Sequence, residues 1–119
     1  MSTRAQVHFK NSGVFLYQHM DGANLPIEVA NALLLNERWD DEDYLARIVF
    51  DTMKDQSNYP TTGYGIGTVE HGDIEYLVVL DVENQTVEVK TWLLDNLVSV
   101  WTGSFSDFIS LGQQQLESF

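Results

Sequence analysis

The spacing of apolar residues switches from a two-residue to a helical period and back again along this chain, which constrains the fold more than any other feature. Ala5, Val7 and Phe9 alternate with Arg4, Gln6, His8 and Lys10, the period of a half-buried strand. Asn11-Ser12-Gly13 supplies turn residues before Val14-Phe15-Leu16-Tyr17, so the N-terminus is expected to form a β-hairpin that ends at Asp21-Gly22. Asn24 followed by Pro26 marks a helix start, with Pro in the first turn where its missing N–H costs nothing, and this helix is expected to run to about Asn36. A second helix is expected over residues 41–54. Asp40 is its N-cap, Asp41, Glu42 and Asp43 face the positive end of its dipole, and Tyr44, Leu45, Ile48, Val49, Thr52 and Met53 lie on one face.

Residues 55–63, DQSNYPTTG, are polar and contain Pro and Gly, the composition of a loop. Strand-forming residues then return over 66–70, 73–81 and 86–92, interrupted by His71-Gly72 and by Val82-Glu83-Asn84-Gln85, a pattern that predicts an antiparallel meander. Tyr76 to Leu80 is apolar on both faces and belongs at the centre of the sheet. Residues 97–101 add a candidate strand. Ser104 and Asp107 resemble a capping box before Phe105, Phe108 and Ile109, although Gly112 interrupts that helix. The expected fold is α+β: a mainly antiparallel sheet in the order β-β-α-α-β-β-β, with two helices on one face and a short helical or irregular tail.

At 119 residues this is one domain, spanning 1–119. Its 44% apolar content, with 3 Trp, 5 Tyr and 6 Phe, supplies a core that acidic disordered chains lack. There is no cysteine, hence no disulfide framework or thiolate chemistry. No secretory h-region and no apolar run of about 18 residues is present, so a cytoplasmic protein without a membrane span is expected. The formal charge is −12, from 18 Asp and Glu against 6 Lys and Arg. A field of that sign repels nucleic acid and anionic lipid and favours basic protein surfaces.

Two polar constellations merit weighing. His19 and Asp21 share a face if extended, as do His71, Asp73 and Glu75. Were the two strand ends neighbours, these five would suit a divalent metal or acid–base chemistry. The plainer reading is that Asp21-Gly22 and His71-Gly72 are tight turns with Gly at positive φ, and no cofactor is expected. Gly63-Tyr64-Gly65-Ile66-Gly67 follows a polar loop and leads into a strand, the wrong context for a phosphate-binding loop. Tyr59, Pro60 and Tyr64 are candidates for a loop contact surface. The carboxylates Glu37, Asp40, Asp41, Glu42, Asp43, Asp51 and Asp55 cluster on and before the second helix. Capping explains part of that cluster but not the excess over the whole chain.

Tyr17-Gln18-His19-Met20-Asp21-Gly22 and His71-Gly72-Asp73-Ile74-Glu75-Tyr76, set around two helices, resemble motifs of a group of small uncharacterised bacterial and bacteriophage proteins. The likeness covers residues 3–92. In that group the first motif typically has Trp where this chain has Met20, which bears on any stacking role there. The resemblance implies a bacterial-host or mobile-element setting and no particular activity. In size and charge the chain is also similar to DNA-mimic inhibitors, including anti-CRISPR proteins. The leading expectation is therefore a non-catalytic acidic binding protein that occupies a basic protein or nucleoprotein complex, without contacting nucleic acid itself. The alternatives are a small metal-dependent or acid–base enzyme on His19, Asp21, His71, Asp73 and Glu75, and a homo-oligomeric structural protein joined through Trp92, Trp101, Phe105 and Phe108.

Overall fold

The hairpin at the N-terminus forms as its alternation requires. In a computed structural model that describes residues 3–55 and 61–119, β1 (Ala5–Phe9) pairs antiparallel with β2 (Val14–Gln18). Gly13 closes their turn at φ 83°, a left-handed conformation that costs glycine little. The second turn is reached differently from expectation. Asp21, not Gly22, takes positive φ (58°), and Gly22 is required for space, because a Cβ there would lie 2.6 Å from the Thr3 carbonyl oxygen and 2.9 Å from Ala5 Cβ. A single 3-10 turn over Gly22–Asn24 leads into α1 (Leu25–Leu34). That helix stops short of Asn36, which turns to φ 53°, while the Trp39 indole N–H donates to the Leu33 carbonyl at 3.1 Å.

The second helix, α2, spans Glu42–Lys54, with Asp41 rather than Asp40 at the N-cap. Then follow β3 (Tyr64–Gly67), β4 (Tyr76–Asp81), β5 (Thr86–Leu93), β6 (Asn96–Ser104), α3 (Phe105–Ile109) and α4 (Gln113–Glu117). Ser104 caps α3, its side-chain oxygen accepting from the Asp107 N–H at 3.0 Å, as the capping box predicts. Gly112 separates α3 from α4. The expected contact residues Tyr59 and Pro60 lie outside the described residues.

Six strands form one sheet in the order β3-β2-β1-β4-β5-β6. Four neighbouring pairs are antiparallel and one, β1 with β4, is parallel. The fold is α+β as the period changes require, with β4 in the middle. Of the meander expected over 66–92 the antiparallel pairing of β4 with β5 forms, but β3 pairs with β2 and not with β4. β3, at Tyr64–Gly67, also starts and stops earlier than the apolar pattern over 66–70 indicated, because its ends are set by its register with β2.

All four helices lie on one side, where Ala5, Val7, Phe9, Val78, Leu80, Val87 and Val89 meet Leu25, Leu33, Leu45, Val49, Met53, Phe105, Phe108 and Leu116 in one buried cluster. The other face holds a smaller cluster of Phe15, Ile74 and Leu77. It is closed by residues 68–75, which run as a strap from the β3 edge to the sheet centre. Gln6, 1% exposed on β1, clasps that strap: its Nε2 donates to the Val69 carbonyl at 3.1 Å and its Oε1 accepts from the His71 N–H at 2.9 Å. One amide thus satisfies both backbone groups that a paired strand would have satisfied. Replacing Gln6 with Leu leaves them without partners, so urea denaturation is expected to show a loss of ~1–3 kcal/mol, with hydrogen-exchange protection lost first at His71.

Candidate functional site

The strap decides where the histidine motifs go. His71, Asp73 and Glu75 lie on it or at its end rather than on one face of a strand, as the sequence pattern had implied. Tyr17 and His19, at the end of β2, come up beside it. The Tyr17 and His71 rings stand 4.6 Å apart, and the Tyr17 hydroxyl is 3.2 Å from His19 Nδ1. Arg4 Nε approaches the same nitrogen at 3.4 Å. Because guanidinium can only donate, His19 Nδ1 is an acceptor here. Arg4 Nη1 also pairs with Asp73 at 3.0 Å, and its carbonyl accepts from the Glu75 N–H at 2.8 Å. Burial, the largest influence on Tyr17, raises its pKa above the usual phenol value. His8, the remaining histidine, stacks on Phe15 with ring centroids 4.1 Å apart, and burial lowers its pKa.

Of the five residues weighed for metal or acid–base chemistry, the structure gathers His19, His71 and Asp73 around Tyr17 and Arg4. Asp21 and Glu75 go elsewhere. Asp21 sits in the turn before α1, where its charge acts on Glu28, and Glu75 lies opposite Trp92, its backbone carbonyl accepting from the Trp92 backbone N–H at 2.9 Å. Among the described residues no group of three or more His, Asp or Glu side chains is placed to hold a metal ion. What the gathered residues visibly do is hydrogen-bond and stack, fixing the strap to the ends of β1 and β2. Sequence reasoning passed over Arg4 and Tyr17 in this role, since only the fold places them between the two motifs.

The acidic cluster lies at the surface. Glu37, Asp40, Asp43, Asp51 and Asp55 are exposed and Asp41 and Glu42 half-buried. Glu42 Oε2 accepts from the Asn11 N–H at 3.2 Å, so this carboxylate ties α2 to the β1–β2 turn. Along α2 the residues Asp43, Arg47, Asp51 and Asp55 recur every fourth position, about 6 Å apart along the axis. Arg47 pairs with Asp51 at 3.2 Å.

All six cations of the chain are engaged internally. Arg4 pairs with Asp73, Lys10 lies 3.9 Å from Asp81, Arg47 pairs with Asp51 and Lys90 lies 3.9 Å from Glu88. Arg38 sits 4.2 Å from the centre of the Tyr44 ring and Lys54 4.8 Å from that of Phe50. Four of the 18 carboxylates are so paired, and the rest have no cationic partner among the described residues. Asp81 has the strongest support, since hydrogen bonds from Asn84 hold its carboxyl below the usual range.

No protein-family model matches the chain, and no curated protein or solved structure is significantly similar to it. Its function therefore has to be argued from its own surface. Among the described residues no helix is long and apolar enough to cross a membrane.

One carboxyl is not part of the charged surface. Glu28 on α1 is half-buried beside Gln18 of β2, whose Nε2 donates to the Met20 and Asp21 carbonyls at 2.8 and 3.1 Å. Gln18 Oε1 and Glu28 Oε1 are both buried without a hydrogen-bond partner. Burial, reinforced by Asp21, raises the Glu28 pKa from 4.5 to about 7, against the opposing effect of Gln18. Between those two values the native state keeps a proton that the unfolded chain releases, so this group's contribution to stability falls as pH rises from 4.5 to about 7. The Glu28→Gln variant is expected to remove that slope and to gain up to ~3 kcal/mol above pH 7, read by urea denaturation of both proteins across the pH range.

Proposed function

We propose that the protein acts by binding rather than by catalysis, presenting the acidic face of α2 and the turn before it to a Lys/Arg-rich groove of a nucleic-acid-handling complex. The observation that carries this reading is the internal engagement of every cation. The exposed carboxylates at Glu37, Asp40, Asp43 and Asp55, in the turn before α2, on its first turn and at its C-cap, form no ion pair with any of these cations. Such a row competes for guanidinium and ammonium groups as phosphates do. Its charge also accelerates encounter with a basic partner in a salt-dependent way.

Packing and one hydrogen bond hold α2 in place. The buried side of α2 is anchored by Leu45, Val49 and Met53, and its N-terminal end is held to the β1–β2 turn through Glu42. Carboxylates displayed on such an element need little ordering on binding, which lowers the entropic cost of docking. In size and charge the protein would act as DNA-mimic inhibitors do, in the cytoplasm of a bacterial host.

Affinity capture from a bacterial lysate at rising salt tests this. A basic nucleic-acid-handling complex is expected to be retained at low salt and released at high salt. The triple variant Asp40→Lys, Asp43→Lys, Asp55→Lys, checked for unchanged melting, is expected to lose that retention. These three positions spare the Asp41 cap and the Arg47–Asp51 pair. Retention that is insensitive to both salt and charge reversal would overturn the proposal.

A further inference from the structure

The last hairpin of the sheet has features that neither the core nor the acidic face uses. β4 ends its pairing with β5 at the Tyr76–Thr91 pair, so the chain beyond Trp92 runs past the body of the sheet with only its own β5–β6 pairing, Trp92 to Leu97 and Leu93 to Asn96. Its two-residue turn, Leu94-Asp95, holds both residues at positive φ, 50° and 69°. Asn and Gly are at home in such a turn. A leucine gains no packing there, and Leu94 is 95% exposed. Trp92 (44%), Leu93 (51%) and Val98 (41%) are also exposed, so the projecting tip presents a contiguous apolar run on a chain of formal charge −12.

Two open cavities meet at the base of this hairpin and share Glu75 and Trp92. One, about 350 Å³, is also lined by Thr3, Ala23, Tyr76, Thr91, Leu93 and Phe119. The other, about 150 Å³, is completed by Gly72, Asp73 and Ile74. Asp73 is neutralised by Arg4, but Glu75 and Asp95 are exposed and have no cationic partner among the described residues. An indole beside an unpaired carboxylate is a site for a cation, which gains from the ring and from the charge together.

We propose that the hairpin tip is a docking site for a partner protein whose contacting segment carries Lys or Arg next to apolar side chains. The cation enters beside Trp92 and Glu75, and the apolar residues cover Leu93, Leu94 and Val98. A second copy of this chain fits less well, since it would bring Glu75, Asp95 and the rest of a −12 charge against the same carboxylates. This contact stands independently of the acidic face of α2.

The test is a titration of the isotope-labelled full chain with a blocked peptide of alternating leucine and arginine, followed by NMR. Shifts are expected at the Trp92 indole N–H, Glu75, Leu93 and Leu94. Trp92→Ala and the conservative Glu75→Gln are each expected to weaken binding about tenfold. The Asp40→Lys, Asp43→Lys, Asp55→Lys variant should bind this probe within about twofold of the wild type at moderate salt, so failure of the α2 reading and failure of this one are told apart. Equal affinity of the Trp92→Ala variant, equal binding of a peptide with norleucine in place of arginine, or a dimer in sedimentation that Trp92→Ala dissociates would overturn the proposal.

Discussion

The parallel pairing of β1 with β4 joins two otherwise separate halves of the sheet, β3-β2-β1 and β4-β5-β6. Each half is held by local antiparallel pairs, and neither alone covers the helices. A parallel neighbour cannot be reached by a tight turn, so the chain has to leave β2, build both long helices, pass through β3 at the edge and return across the opposite face. The strap is that return path. Its polar backbone is affordable only because Gln6, buried on β1, meets the Val69 carbonyl and the His71 N–H. Fixing the strap then brings His71 against Tyr17 and Asp73 against Arg4, so the histidine motifs are a consequence of how the two halves are joined.

The charge distribution follows from the same frame. Cations are few, 6 against 18 carboxylates, and each lies against a neighbouring carboxylate or an aromatic ring, so most carboxylates form no ion pair. The helix dipole accounts for Glu42 and Asp43 in the first turn of α2, whereas Asp41 at the N-cap makes no side-chain capping bond. It does not account for Asp55 at the far end of that helix, where a negative charge opposes the dipole. Under the proposed binding roles, Asp55 and the leucine held at positive φ on the tip of the hairpin serve a use outside the fold.

Much of the fold is legible in the residues. The alternation of Ala5, Val7 and Phe9, the apolar face of Leu45, Val49 and Met53, and the Ser104 cap each encode their element locally, within one or two turns of chain. Strand partners were less legible. The apolar run near Ile66 was read as starting a meander, whereas β3 pairs with β2, because β-pattern records which face is buried and not which strand lies alongside. Phe105 and Phe108, weighed as oligomer contacts, are wholly buried and serve the core, and Trp101 packs on Phe108 with ring centroids 5.3 Å apart. Trp92 alone of that set is exposed, a distinction that composition does not contain.

By itself the sequence determined the α+β class, the position of the helices, the central place of β4 and the acidity of the surface. These are sums or periods over neighbouring residues. Only the tertiary structure decided the parallel junction, the strap, the burial of Glu28 beside Gln18 and the meeting of Glu75 with Trp92. Each of these depends on contacts between residues distant in the chain, where hydrogen-bond satisfaction and space, rather than local periodicity, select the partner.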